Sequence, residues 1–301
     1  MALANGIIKN KTVSKNTGIP KKKLLIKNAM GALSIPVNLG TNHLLDIVGT
    51  GGDGKDTFNI STLACFIVAG AGQPVVKHGN YGASSVSGSS NVMEQLGYVF
   101  KNDEAALTKE VKEAGICFLH APLFHPALKT VGPIRRNMGL RTFFNMLGPI
   151  VNPAKPAYQL IGVYNLEMAR IYNYAMQSLG KEFTLIHSLD GYDEISLTSD
   201  TKIISNKGEF IMTPYQLGKR KVFPEELYGG NTVEAAAALF KKIIEGNGSW
   251  SQNAVVLANA AMALQVTGQY DNYEAAFQAA VKSLESGAAN KCLNQLISLQ
   301  K

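Results

Sequence analysis

The sequence predicts an α/β protein: a central, mostly parallel sheet flanked by helices. Three observations carry this. Short apolar runs alternate with segments of helical period, the rhythm of strand–helix–strand units. Glycine-rich loops follow two of these runs directly. The 301 residues are 46% hydrophobic and 17% charged, enough apolar material to bury a sizeable core.

Leu44–Val48 reads as a buried strand running into Gly49-Thr50-Gly51-Gly52-Asp53. Ser61–Gly70 is small and apolar enough to be the helix packed on that strand. Pro74–Lys77 is a second strand, ending at His78-Gly79-Asn80. Ser89–Leu96 is a serine-capped helix, Asp103–Ala114 an amphipathic helix, and Ile116–Leu119 a third strand. Pro122–Pro153 breaks the rhythm: it holds five prolines and a helical stretch with Arg135, Arg136 and Arg141. We read it as a helical excursion from the α/β body. Strand Gln159–Tyr164, helix Leu166–Leu179 and strand Phe183–His187 restore the alternation. Three short strands are expected between Glu194 and Met212. A helix capped by Asn231 runs to about Ile244, and helices near Gln252–Val266, Tyr273–Ser286 and Ala288–Leu299 follow.

The net charge of +7 is a property of one end. Lys9, Lys11, Lys15, Lys21, Lys22, Lys23 and Lys27 precede the first acid, Asp46. With those seven removed from 29 basic residues, the remainder matches its 22 acids, so the body is neutral and no nucleic-acid partner is expected. No apolar run is long enough to span a membrane, and no signal peptide is visible. Cys65, Cys117 and Cys292 are odd in number and widely spaced, which suits a reducing cytoplasm rather than a disulfide framework or zinc site.

The chemistry concentrates in residues 49–94. Glycines after a strand let the backbone approach a ligand, and successive inward amides form an anion nest beside a helix N-terminus. Asn59, Ser61 and Thr62 stand at the start of that helix, where they can cap it or reach the ligand. The second loop repeats the design with Lys77, a compact charge suited to phosphate, and the hydroxyls of Ser84 and Ser85. Each loop alone also reads as a tight turn with an ordinary cap. Walker and dinucleotide-binding glycine spacings are both missing. His78 has no evident nucleophile or carboxylate partner and reads as structural or catalytic. Asp193-Glu194 is either a solvated turn or, beside two phosphate loops, a magnesium–pyrophosphate site. Arg135, Arg136 and Arg141 can grip a carboxylate or make surface ion pairs.

Together these motifs resemble the anthranilate phosphoribosyltransferase family. Residues 49–53, 59–62, 77–85, 125–135, 141–149 and 193–194 follow its motifs in order from about Ala29 onward. Two positions depart from its usual pattern: Tyr81 replaces an arginine, and Ser90-Asn91 replaces Ala-Asp.

The resemblance implies transfer of phosphoribose from phosphoribosyl pyrophosphate (PRPP) to anthranilate. The nearest alternatives are a pyrimidine nucleoside phosphorylase-like enzyme and a non-catalytic nucleic-acid-binding relative. It implies that Gly49, Thr50, Gly51, Gly52, Asp53, Thr57, Asn59, Ser61, Thr62, Lys77, Gly79, Ser84, Ser85 and Ser89 bind PRPP. Gly49, His78, Asn80, His125 and Arg135 would meet anthranilate. Ser61, Asp193 and Glu194 would hold two Mg²⁺ ions. No side chain acts as a chemical catalyst; positioning and electrostatics do the work, with Lys77 and Arg135 foremost. The family's architecture adds a small helical domain, here 29–43 with 121–149, to an α/β domain of 44–120 and 150–301. It also implies a homodimer. Residues 1–28 replace the usual N-terminal helices with an atypical lysine-rich leader, which shortens the helical domain.

Overall fold

The computed structural model describes residues 34–82, 87–126 and 148–301. The leader 1–28, Ser84, Ser85 and the arginines 135, 136 and 141 lie outside them. Among the described residues seven strands form one sheet. They are β1 (Leu45–Gly49), β2 (Val75–Gly79), β3 (Ile116–His120), β4 (Tyr158–Gly162), β5 (Glu182–Ser188), β6 (Thr201–Ser205) and β7 (Gly208–Met212), in the order β3-β2-β1-β4-β5-β6-β7. The first five are parallel, and β6 and β7 add an antiparallel hairpin.

Helix α1 (Ile60–Gly70) is buried along almost its whole length, as its small apolar sequence requires. Asp103 caps α3 (Glu104–Ala114) by accepting from Ala106 N at 2.7 Å, and Gly115 ends it with φ +74°. Asn165 caps α5 (Leu166–Leu179) in the same way, at 2.8 Å from Met168 N. The Ser89–Gln95 helix, α2, starts one residue earlier than its serine suggests. Gly88 is its N-cap, and Asn91 Oδ1 accepts from Gly88 N at 3.0 Å. Helix α7 (Val233–Ile244) is capped by Thr232 rather than Asn231. The four-residue α4 (Ala121–Phe124) and five-residue α6 (Pro214–Gly218) were not anticipated.

The main core lies between one sheet face, α1 and the C-terminal helices α7, α8 (Trp250–Val266), α9 (Tyr273–Glu285) and α10 (Ala288–Ser298). The middle of α8, Ala254–Leu264, is apolar on every side but for Asn259 because it is enclosed. Phe66 anchors this core, with ring centroids 5.9 Å from both Phe118 and Phe240. The opposite sheet face is covered by α5 over β4–β6 and by α3 over β2 and β3. Between Glu194 and β7 only β6 intervenes, so two strands stand where three were expected. Ile195–Thr198 is a loop, and its hydroxyls bond one another: Ser196 Oγ and Thr198 Oγ1 are 2.7 Å apart.

The strand order reverses between β1 and β4, and this decides where a ligand sits. Connections leave the two strands in opposite directions, which opens a crevice at their carboxyl ends. Gly49, Gly79, Gly162 and Ser188 all end their strands there. No helix among the described residues is long and apolar enough to cross a membrane.

Candidate active site

The glycine loop hangs from the end of β1. Thr50 N donates to Gly162 O at 2.9 Å, and Gly51 N donates to Asp193 Oδ2 at 2.7 Å. Gly51, Gly52 and Gly54 hold φ values of +64°, +77° and +72°, a region that disfavours a Cβ. Gly49 is required for a different reason: a Cβ there would lie 2.5 Å from Asp193 Oδ2. Thus the loop and the acidic pair, 142 residues apart, are built against one another.

Thr57 forms an isolated bridge with Tyr228, which fixes the loop's exit. Asn59 Nδ2 donates to Ser87 O at 3.1 Å, tying the start of α1 to the second loop. Ser61 is partly exposed at the helix start, while Thr62 is buried behind it. Lys77 is only 3% exposed. Its Nζ donates to Ile47 O at 2.7 Å and to Ser61 Oγ at 3.2 Å, so the ammonium is threaded beneath β1 toward the crevice. Gly79 gives way to Ser89, whose Oγ would lie 2.6 Å from a Cβ, and Ser89 Oγ reaches Asn80 O at 3.4 Å.

Asp193 and Glu194 follow β5 in a loop pinned from below. Ser188 Oγ donates to Glu194 O at 2.7 Å. Asn259 of α8 brackets Ile195, accepting from its N at 3.0 Å and donating to its O at 2.9 Å. Burial raises the pKa of both carboxyls, and like charge adds to it: Asp53 acts on Asp193, and Asp193 on Glu194. Glu194 also takes a hydrogen bond from Ser61. Three carboxylates therefore crowd one edge of the crevice, and Lys77 is the cation among them.

An anionic ligand would be repelled by that edge unless a divalent cation stood between. Among the described residues no three His, Cys, Asp or Glu side chains close into a metal cage. Magnesium does not need one: it takes one or two carboxylates and completes its octahedron with water and phosphate oxygens. The hard oxygen donors of Ser61, Asp193 and Glu194 fit it. Two buried hydroxyls at the crevice, Thr50 Oγ1 and Ser87 Oγ, lack a hydrogen-bond partner, the mark of a polar ligand's place.

His78 and His125 occupy a separate position. His78 is 4% exposed and His125 fully buried. Burial, then His125, pushes the His78 pKa down to about 3, so its ring is neutral. The His125 ring lies within hydrogen-bond reach of His78, at 3.0 Å between the Nε2 atoms. Asn80 and Tyr81 face outward nearby, and Tyr81 OH donates to Glu94 at 2.7 Å.

Sequence reasoning missed three supports. Asp46, wholly buried, is raised to about 6 by burial and receives Asn152 Nδ2 at 2.9 Å. Gly162 lies against the acidic pair, where a Cβ would overlap Asp193 O. Asn259 was legible in principle, as the one polar side chain in the run Ala254–Leu264.

The chain matches the Glycosyl transferase family, a/b domain, over residues 41–290. It is 54% identical to an anthranilate phosphoribosyltransferase of Flavobacterium johnsoniae over 273 residues, covering 91% of this chain and 82% of that one. A Bacteroides fragilis enzyme of the same name is 52% identical with the same coverage. Among solved structures, the Thermus thermophilus anthranilate phosphoribosyltransferase superposes with a TM-score of 0.86 at 33% identity, covering 92% of this chain and 84% of that chain. The Saccharomyces cerevisiae enzyme in complex with PRPP and Mg gives 0.83 at 29% identity, over 92% and 80%. Relatives about half identical over some nine-tenths of the chain carry one name, and solved structures of that name share its fold, so the chain belongs to the anthranilate phosphoribosyltransferase family.

Proposed function

We propose that the crevice holds PRPP by its pyrophosphate, with Mg²⁺ between that group and the acidic edge. The chain transfers the 5-phosphoribosyl group of PRPP to the amine of anthranilate, a step of tryptophan biosynthesis. The observation that carries the site reading is the crowding of Asp53, Asp193 and Glu194 opposite Lys77 and the glycine amides. Such an arrangement suits a poly-anion only with a divalent metal bound. The Saccharomyces cerevisiae enzyme has been solved in complex with PRPP and Mg, and a variant of it with Mg bound.

The Lys77 ammonium and the part of the glycine loop beyond Gly51 face the charge that grows on the leaving group, while Thr50 N and Gly51 N hold the loop to Gly162 O and Asp193 Oδ2. Thr50, Asn59, Ser61, Ser84, Ser85 and Ser89 supply the remaining donors, and Thr57 shapes the exit of the loop. Ser61, Asp193 and Glu194 would hold two Mg²⁺ ions, which when bound would supply positive charge against the departing pyrophosphate. The anthranilate amine is weakly basic and already unprotonated at neutral pH, so no strong general base is required. The protein's task is to hold the two substrates in line. We assign residues 29–43 and 121–149 to the anthranilate side, where Asn80, His125 and Arg135 would stand beside the acceptor. Residues 44–120 and 150–301 form the PRPP-binding domain. The enzyme works as a cytoplasmic homodimer.

Anthranilate fluorescence tests the reading. With PRPP and Mg²⁺ the signal should fall with time, and EDTA should stop the fall. A folded protein that leaves fluorescence unchanged at millimolar substrates contradicts it. Arg135→Ala should mainly raise the KM for anthranilate, by about 10–100-fold for a lost charge-assisted pair. An equal effect on PRPP would remove Arg135 from the acceptor.

A further inference from the structure

Lys55 reaches from the glycine loop across to the turn that carries the acidic pair. Its Nζ stands 4.5 Å from the centroid of the Tyr192 ring. Its stem runs over Gly191, where a Cβ would meet Lys55 Cε at 4.0 Å. Lys55 is half-buried and Tyr192 is buried. Among the described residues the ammonium has no carboxylate within ion-pair distance, so the ring face is its partner. The cation that acts on Glu194 is Lys77. Lys55 therefore works through the ring.

The backbone sets both sides of this contact. The turn after β5 is closed by Gly191 N donating to Ser188 O at 2.8 Å and Ser188 N donating to Tyr192 O at 3.2 Å. Gly191 holds φ +100° there. On the other side Lys55 N donates to Asp53 Oδ1 at 3.1 Å, and just beyond it Gly229 N donates to Asp56 O at 2.8 Å.

Lys55 follows Gly51, Gly52 and Gly54, all in the left-handed region. Glycine loses more conformational freedom on ordering than any other residue. A loop of this composition binds an anion more tightly when the protein orders it beforehand.

We propose that Lys55 and Tyr192 form a latch that holds the glycine loop against the acidic turn, and that Lys55 is thereby a positioning residue for PRPP. The stacked ammonium sets the gap between the loop and Asp193 before the ligand arrives. This rests on the reading that the crevice takes PRPP with Mg²⁺.

The test compares single variants and one double variant in the full chain. Lys55→Met keeps the stem and removes the charge, whereas Lys55→Arg keeps a cation over the ring. Tyr192→Phe keeps the ring face, and Tyr192→Leu removes it. Steady-state kinetics for each substrate with saturating Mg²⁺ would be paired with amide hydrogen exchange of residues 49–58 in the ligand-free protein. Lys55→Met should raise the PRPP KM about 3–10-fold and speed that exchange by a similar factor. It should keep kcat and the anthranilate KM within about twofold. Lys55→Arg and Tyr192→Phe should stay near native. Tyr192→Leu should match Lys55→Met, and the double Lys55→Met/Tyr192→Leu variant should be no worse than the poorer single one, because one contact is lost in each.

Unchanged exchange in Lys55→Met overturns the latch. A raised PRPP KM in Lys55→Met beside native kinetics in Tyr192→Leu would mean that Lys55 touches PRPP itself, and overturns it as well. Equal rises in both KM values would reduce the pair to general stability. Faster exchange in Lys55→Met, with a native chain that does not bind PRPP and Mg²⁺, would refute the PRPP reading and leave the latch standing.

Discussion

Glu194→Ala is expected to lower magnesium-dependent turnover by about 10²–10³-fold without loosening the fold. Glu194 sits half-buried beside buried Asp193 and half-buried Asp53, and its charge is disfavoured there by desolvation and by Asp193. A group whose folded pKa is raised destabilises the metal-free protein wherever it is ionised. Its removal should therefore leave the melting temperature of the metal-free enzyme unchanged or higher. What it should abolish is the rise in melting temperature that PRPP and Mg²⁺ together produce, since that rise reflects ligand bound to the native state. Kinetics with thermal melts separate the two effects. A large fall in stability with only mild loss of turnover would make Glu194 a structural residue.

Gly162→Ala is the second large effect, and here stability and activity should fall together. Gly162 ends β4 at the switch point, and its carbonyl receives Thr50 N at 2.9 Å. Any Cβ there would overlap the carbonyl oxygen of Asp193, so the acidic loop must move. Overpacking of this kind costs about 1–3 kcal/mol. Displacement of catalytic geometry by about 1 Å can cost about 10²-fold in rate. Denaturant unfolding and kcat/KM would report both. A variant within about 0.5 kcal/mol and twofold of the native enzyme would show that β4 does not set the spacing of the two loops.

Much of this site was legible in the sequence because its parts are local. Glycines after apolar runs, Asn59 through Thr62 at a helix start, and Lys77 at a strand end are each short-range patterns with a physical reason. Strands, helices and caps also followed from period and capping residues to within a residue or two. The partnerships that hold the parts were not legible. Gly51 meets Asp193 across 142 residues, and Asn152 meets Asp46 across 106. A single sequence has no local signal for such distances. Ile195–Thr198 misled for a related reason: its apolar and hydroxyl residues alternate like a strand, but their hydrogen bonds go to one another, to Ser188 and to Asn259. The isolated His78 was ambiguous in sequence, and the fold gave it partners on both sides of the excursion.

The central claim is that PRPP is held through metal between its pyrophosphate and the Asp193–Glu194 pair. Calorimetric titration of PRPP into the native enzyme and into Glu194→Ala, each with and without Mg²⁺, tests it most directly. The account predicts binding to the native enzyme that is strong with Mg²⁺ and weak without it, and weak binding to Glu194→Ala in both conditions. Equal PRPP affinity with and without Mg²⁺ in the native enzyme, or undiminished Mg²⁺-dependent binding in Glu194→Ala, would contradict it.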